Sequence, residues 1–216
     1  MIEGEYSGEL HDGVREGKGV LRWANGDMYE GMFKNGLRSG TGVFTEPRGR
    51  RYEGDWILSV REGNGIETWP NGDKYDGQYS KDRFHGVGEL ITHGGRYRGN
   101  FRDGLKDGMG TMMFKNACRY EGNWKLGRFH GRGLYVWPDG RRYEGDWIQG
   151  VRTGHGAMMF PNAEKFEGEF INNKMHGAGW WRQTNGKVRP GEWTDDKFVK
   201  WTGPEQFEAQ MKKTRK

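Results

Sequence analysis

The chain has 216 residues and 39 glycines, more than twice ordinary usage, while 32% of residues are hydrophobic and 14% aromatic; this excludes a compact aliphatic core and points to large rings packed on a glycine-rich backbone. The net charge of +5 is spread as interleaved acidic and basic residues, which excludes the one-sided basic stripe of a nucleic-acid surface. One cysteine, Cys118, excludes an internal disulfide framework and a cysteine zinc cluster, and apolar runs of about four residues are too short for a membrane helix.

In chain order, the first predicted element is a degenerate aromatic-x-Gly-x-aromatic copy, Ile2-Gly4-Tyr6. Full copies follow at Tyr29-Gly31-Phe33, Tyr52-Gly54-Trp56, Tyr75-Gly77-Tyr79, Tyr97-Gly99-Phe101, Tyr120-Gly122-Trp124, Tyr143-Gly145-Trp147 and Phe166-Gly168-Phe170, and Arg189-Gly191-Trp193 is a degenerate last copy. Apart from a first step of 27, the central glycines advance by 22 or 23 residues. Gly-x-Gly pairs beginning at Gly17, Gly40, Gly63, Gly86, Gly108, Gly131, Gly154 and Gly177 form a second ladder. A third marker is Asn-Gly or a relative, at Asn25-Gly26, Asn71-Gly72, Asp139-Gly140 and Asn185-Gly186, with Asn116-Ala117 and Asn162-Ala163 as variants.

Each unit reads as strand, turn, Gly-x-Gly, strand, Asn-Gly turn, which is a β-hairpin. Strand alternation places Tyr52, Gly54 and Trp56 on one face, where the glycine admits a neighbouring ring, and Glu53 and Asp55 on a wet face. The predicted fold class is all-β: an elongated antiparallel hairpin meander, a single-layer twisted sheet of about eight units over residues 1–200. Ser7 to Val14 form an enlarged turn, and Pro190, with no amide to donate, suits a terminal edge strand. Residues 201–216 are predicted to add a short C-terminal helix, with Phe207 and Met211 capping the array or docking on a partner, and Lys212, Lys213, Arg215 and Lys216 at its end.

Tyr-Glu-Gly-Asp-Trp, Gly-x-Gly and Trp-Pro-Asn-Gly or Trp-Pro-Asp-Gly at a spacing of 23 resemble the MORN (membrane occupation and recognition nexus) repeat over roughly residues 2–193. Such a chain, almost all repeats plus a small tail, also resembles the MORN subunits of the ciliary radial spoke head. That resemblance implies a structural scaffold of the axoneme, in the cytoskeleton of a cilium or flagellum, contributing to cell motility with other spoke-head subunits as partners.

No catalytic, cofactor-binding or metal-ligating residues are predicted, and no small-molecule substrate. The Gly-x-Gly pairs lack the third glycine of a dinucleotide fingerprint, no serine lies in a Gly-x-Ser-x-Gly elbow, and Cys118 has no obvious base. His85, His130 and His176 share one register position, but strands that far apart cannot bring them to one metal ion. A basic column follows the first strand of each unit at Arg38, Arg61, Arg83, Lys106, Arg128, Arg152 and Lys174. These residues, with Phe207 and Met211, are the candidate partner contacts. Two alternatives stay open, a peripheral adaptor binding anionic lipids through the basic residues and a groove that captures a partner helix; nucleic acid is not an expected partner.

Overall fold

The structure, a computed structural model, describes residues 4–203 and Glu205. The chain forms two compact units divided between Lys106 and Asp107. The first contains β1 (Gly4–His11), β2 (Val14–Trp23), β3 (Met28–Lys34), β4 (Leu37–Thr45), β5 (Arg51–Ile57), β6 (Val60–Thr68), β7 (Lys74–Ser80), β8 (Arg83–Thr92) and β9 (Gly95–Arg102). The second begins within β10 (Leu105–Phe114) and continues through β11 (Arg119–Lys125), β12 (Arg128–Val136), β13 (Arg142–Ile148), β14 (Val151–Met159), β15 (Lys165–Ile171), β16 (Lys174–Arg182), β17 (Val188–Thr194) and β18 (Lys197–Trp201). Within each unit every strand pairs antiparallel with the next in sequence, the predicted hairpin meander. The expected C-terminal helix lies outside the described residues, as do Phe207 and Met211, and Trp201 ends β18 instead of opening a tail.

The glycine excess has one main structural cause. Central glycines face the second glycine of the neighbouring Gly-x-Gly: Gly31 opposes Gly42, Gly54 opposes Gly65, and Gly145 opposes Gly156. A tyrosine ring lies across each of these pairs. A Cβ built on Gly42 would stand 2.2 Å from the Tyr29 hydroxyl oxygen, and one on Gly65 would stand 2.5 Å from Tyr52 Cε2. Each ring is fixed at its far end, since Tyr29, Tyr52, Tyr75, Tyr97, Tyr120 and Tyr143 donate to the carbonyl three residues on at 2.8–3.0 Å. Burial raises the hydroxyl pKa of Tyr29, Tyr52, Tyr75, Tyr120 and Tyr143, that of Tyr29 to about 12. The second aromatic of each element meets these rings edge to face, as in Tyr29–Phe33 at 5.1 Å and Tyr29–Trp56 at 5.4 Å.

Opposite the rings, Glu30, Glu53, Asp76, Glu121 and Glu144 are exposed. Their partners two residues on are structural. A register shift between Gly54 and Trp56 leaves the middle residue of Gly-x-Gly unpaired on the ladder, and Asn64 N donates to Asp55 Oδ2 at 2.8 Å. Gln78 and Asp146 accept from Val87 N and His155 N in the same way. The Gly-x-Gly thus lies inside the second strand rather than at its start, and Gly63, its first glycine, has φ +76°.

Two turn types alternate. Between the aromatic strand and its successor, two-residue turns such as Asn35-Gly36 have both residues at positive φ, the type I′ geometry that matches strand twist. These turns are tied to the preceding hairpin: Gly36 N donates to Arg15 O, Ser59 N to Arg38 O and Asp82 N to Arg61 O, at 2.9–3.1 Å. The other turn carries the Asn-Gly marker, where Ala117 takes the place of glycine at φ +63°. A left-handed alanine costs about 1–2 kcal/mol, and the extra freedom of unfolded glycine offsets part of that. Ala117→Gly is therefore expected to stabilise the second unit by about 0.5 kcal/mol, read as a higher urea midpoint.

Pro190 corrects one expectation. It lies in β17, which pairs with β16 on one side and β18 on the other, so it is not in a terminal edge strand. Its carbonyl accepts from Thr202 N at 3.0 Å, so its amide position also faces the β18 side, just where that strand has ended.

Candidate binding groove

The ring face of the first unit carries an open groove of about 1020 Å³ lined by Arg15, Leu21, Trp23, Asn25, Asp27, Phe33, Gly36, Arg38, Phe44 and Ser59. It adjoins a recess of about 200 Å³ where Arg38, Phe44 and Ser59 meet Trp56, Arg61 and Glu67. Strand alternation supplies the walls. Leu21 and Trp23, second and fourth after a Gly-x-Gly, point to the ring face, and Phe44 repeats the Leu21 position on β4. Trp23 and Phe44 stand 5.9 Å apart and are only half-buried, leaving apolar surface open to the groove.

The structure divides the predicted basic column into two sets. Arg38, Arg61, Lys106 and Arg152 lie two residues before the first glycine of a Gly-x-Gly, are half-buried and lie over the ring layer. Arg83, Arg128 and Lys174 lie one residue earlier, at the turn, and are exposed. The register explains the split: Trp56 opposes Arg61, but Tyr79 opposes Phe84 and Trp124 opposes Phe129. One slot beside each tyrosine therefore accepts either a cationic side chain or a flat ring. Phe84 stacks on Tyr75 with centroids 3.7 Å apart and Phe129 on Tyr120 at 3.8 Å, while Arg61 Cζ is 5.5 Å from the Tyr52 centroid and Arg152 Cζ 5.4 Å from that of Tyr143. Arg15 fills the slot on β2, a member of the column that sequence reading missed because it lies in the enlarged first unit.

Glu67 is the other residue missed. It takes the ring-face position held elsewhere by Leu21, Phe44, Met112 and Met158 and is 1% exposed. Arg50 and Arg61 pair with its Oε1 at 2.5 and 2.9 Å, and Tyr79 donates to Oε2 at 2.9 Å. Asp82 holds the far side of Arg61 at 3.0 Å. Burial, then Glu67, raises the Tyr79 pKa. The signal was available as a carboxylate at an otherwise apolar repeat position.

Among the described residues no carboxylate pairs with Arg38. Its guanidinium lies 4.1 Å from the Trp56 centroid and 5.5 Å from that of Phe44, and it donates from Nη2 to Ser59 O at 2.8 Å. Burial lowers its pKa. The remaining candidates do not converge: His85 is exposed, and His176 is half-buried with Nδ1 3.9 Å from Asp195 Oδ1. Cys118 is buried, its amide donating to Asn116 Oδ1. Among the described residues no three His, Cys, Asp or Glu side chains could hold a metal ion.

A family model described as the MORN repeat matches residues 6–28, 29–49, 52–74, 75–94, 97–119, 120–141, 143–163 and 166–188. No curated protein matches the chain. Among solved structures, it is similar to the TCP domain of Drosophila melanogaster SAS-4 (dCPAP) in complex with a proline-rich motif of Ana2 (dSTIL), at 13% identity over 72% of this chain and 85% of that one, TM-score 0.45. It is also similar to the wild-type TCP10 domain of Danio rerio CPAP in complex with a Danio rerio STIL peptide, at 13% identity over 92% and 99% of the chains, TM-score 0.37. Scores this low carry no residue role from those domains to this chain.

Proposed function

The chain belongs to the MORN-repeat family, and from that premise we propose that it is a non-enzymatic scaffold that holds other proteins on the ring face of its hairpin array. The observation that carries this reading is the groove of the first unit, left open by the described residues, where half-buried Trp23 and Phe44 stand beside Arg15 and Arg38 with apolar surface between them. A pocket that joins large rings to guanidinia is the composition from which protein interfaces draw their strongest contacts.

The resemblance of these repeats to those of spoke-head MORN subunits supports a place in the radial spoke head of the axoneme, beside other structural subunits. Affinity purification of the tagged full chain from ciliated cells, with fluorescence localisation, tests it. Spoke proteins in the eluate and signal along the axoneme are expected; plasma-membrane signal without axonemal partners would overturn the spoke assignment. Trp23→Ala is expected to deplete those partners at least about tenfold while leaving the circular dichroism spectrum unchanged.

A further inference from the structure

The first three hairpins offer a comparison within one molecule. Arg15, Arg38 and Arg61 occupy the same slot, and each can be asked what faces its guanidinium. For Arg61 the answer is two carboxylates, Glu67 and Asp82. At the positions equivalent to these, Arg38 meets Phe44 and Ser59, and Arg15 has Leu21 and Gly36. No carboxylate of the described residues lies within ion-pair distance of Arg15 or Arg38. The groove therefore keeps two guanidinia without the counter-charges that the third hairpin supplies to Arg61, and it sets them beside Trp23 and Phe44.

Spacing narrows the occupant. Arg15 on β2 and Arg38 on β4 are two strands apart, about 10 Å at about 4.8 Å per strand. An α-helix laid across the strands repeats one face every seven residues, a rise of about 10.5 Å. Acidic residues seven positions apart would meet the two guanidinia, and apolar residues three and four positions after the first would fall on Leu21, Trp23 and Phe44 between them. Asp27 on the same rim, held by Asn25 Nδ2 at 2.8 Å, opposes a phosphate-rich surface more than a helix whose only carboxylates sit at the two guanidinia.

We propose that this groove takes an α-helix of another protein with acidic residues seven positions apart and apolar residues between them. The inference deepens the scaffold reading and rests on it. Each carboxylate forms a charge-assisted pair in a partly desolvated site, and the rings bury the apolar residues.

The test is fluorescence anisotropy of the full chain with a labelled alanine-based helical peptide of about 20 residues, carrying two glutamates seven apart with two leucines between. Saturable binding is expected, weakened at least about tenfold by glutamine at both peptide glutamates, by Arg38→Gln, and by Arg15→Gln, whose side chain packs less deeply. Arg83→Gln, on the exposed set, should bind as the parent does. Equal binding of the glutamate and glutamine peptides overturns the proposal. So does an Arg38-dependent affinity for phosphatidylserine vesicles with none for the peptide, which would make the occupant a lipid surface. If the peptide fails while Trp23→Ala still strips partners in cells, this inference falls and the scaffold reading stands; if both fail, both fall.

Discussion

Gly156→Ala is expected to destabilise the second unit by about 3–5 kcal/mol, far above the usual cost of adding one methyl group. The added Cβ would stand 2.5 Å from the Tyr143 hydroxyl oxygen and 2.6 Å from Cε2. The ring has nowhere to go. Tyr143 is fully buried, meets Trp147 at 5.2 Å and Phe170 at 4.8 Å, and its hydroxyl donates to Asp146 O. Beneath the glycine, Gly145 Cβ would itself be 2.6 Å from Gly156 Cα, so the strands cannot close to make room. Either the ring leaves its site, forfeiting the burial of a large aromatic, or the β13–β14 ladder opens. Urea denaturation gives the number, and a double-mutant cycle gives the cause. In a Tyr143→Ala background the same glycine substitution should cost less than about 1 kcal/mol, because the clash has gone. A single-mutant cost below about 1 kcal/mol would mean that the ring–glycine contact is not what fixes this packing.

Glu67→Ala carries the second large effect, a loss of about 3–5 kcal/mol from the first unit. The substitution leaves Arg61, whose side chain is 16% exposed, with Asp82 alone, and deprives Tyr79 of its acceptor at a buried site. The network is not needed for the fold as such, since the next hairpin solves the same problem without charge: Phe84, Leu90 and Phe101 stand where this one has Arg61, Glu67 and Tyr79. Installing that set together, as Arg61→Phe, Glu67→Leu and Tyr79→Phe, is expected to restore stability to within about 1 kcal/mol of the parent, since well-packed apolar replacements of buried ion pairs are often neutral or better. Thermal and urea melts of the single and triple variants decide it. A triple variant as unstable as Glu67→Ala would show that the charges are required at this hairpin for reasons other than mutual satisfaction.

The hairpins, their register and the two faces were legible because each rests on spacing. Tyr, Gly and Trp at alternate positions share a face in any strand, and a repeat of about 23 residues fixes which strand meets which. The cause of the glycines was legible only in outline. That the tyrosine ring lies over a cross-strand glycine pair, and that Asp55 and Asp146 satisfy amides freed by a register shift, depends on which residues oppose one another.

Aligning the basic residues by sequence placed Arg38, Arg61, Arg83 and Arg128 in one column, because adjacent positions look equivalent when only charge is matched. The sheet separates them, since a shift of one residue in a strand moves a side chain to the other face. In the sequence Pro190 suits a terminal edge, because a missing donor is harmless there; in the sheet it is harmless inside, beside the end of β18.

By itself, then, the sequence determined the all-β hairpin repeat, its rings and its glycines, since these follow from local periodicity and from the size of a hydrogen atom against a ring. Only the tertiary structure decided which guanidinia are neutralised within the chain and which face an open groove. That distinction between Arg61 and Arg38 arises from Glu67 six residues on in the same strand and from Asp82 in a turn 21 residues on, where Arg38 has Phe44 and Ser59; the residue types stand in the sequence, but that these side chains converge on one guanidinium is set by the packing of neighbouring hairpins.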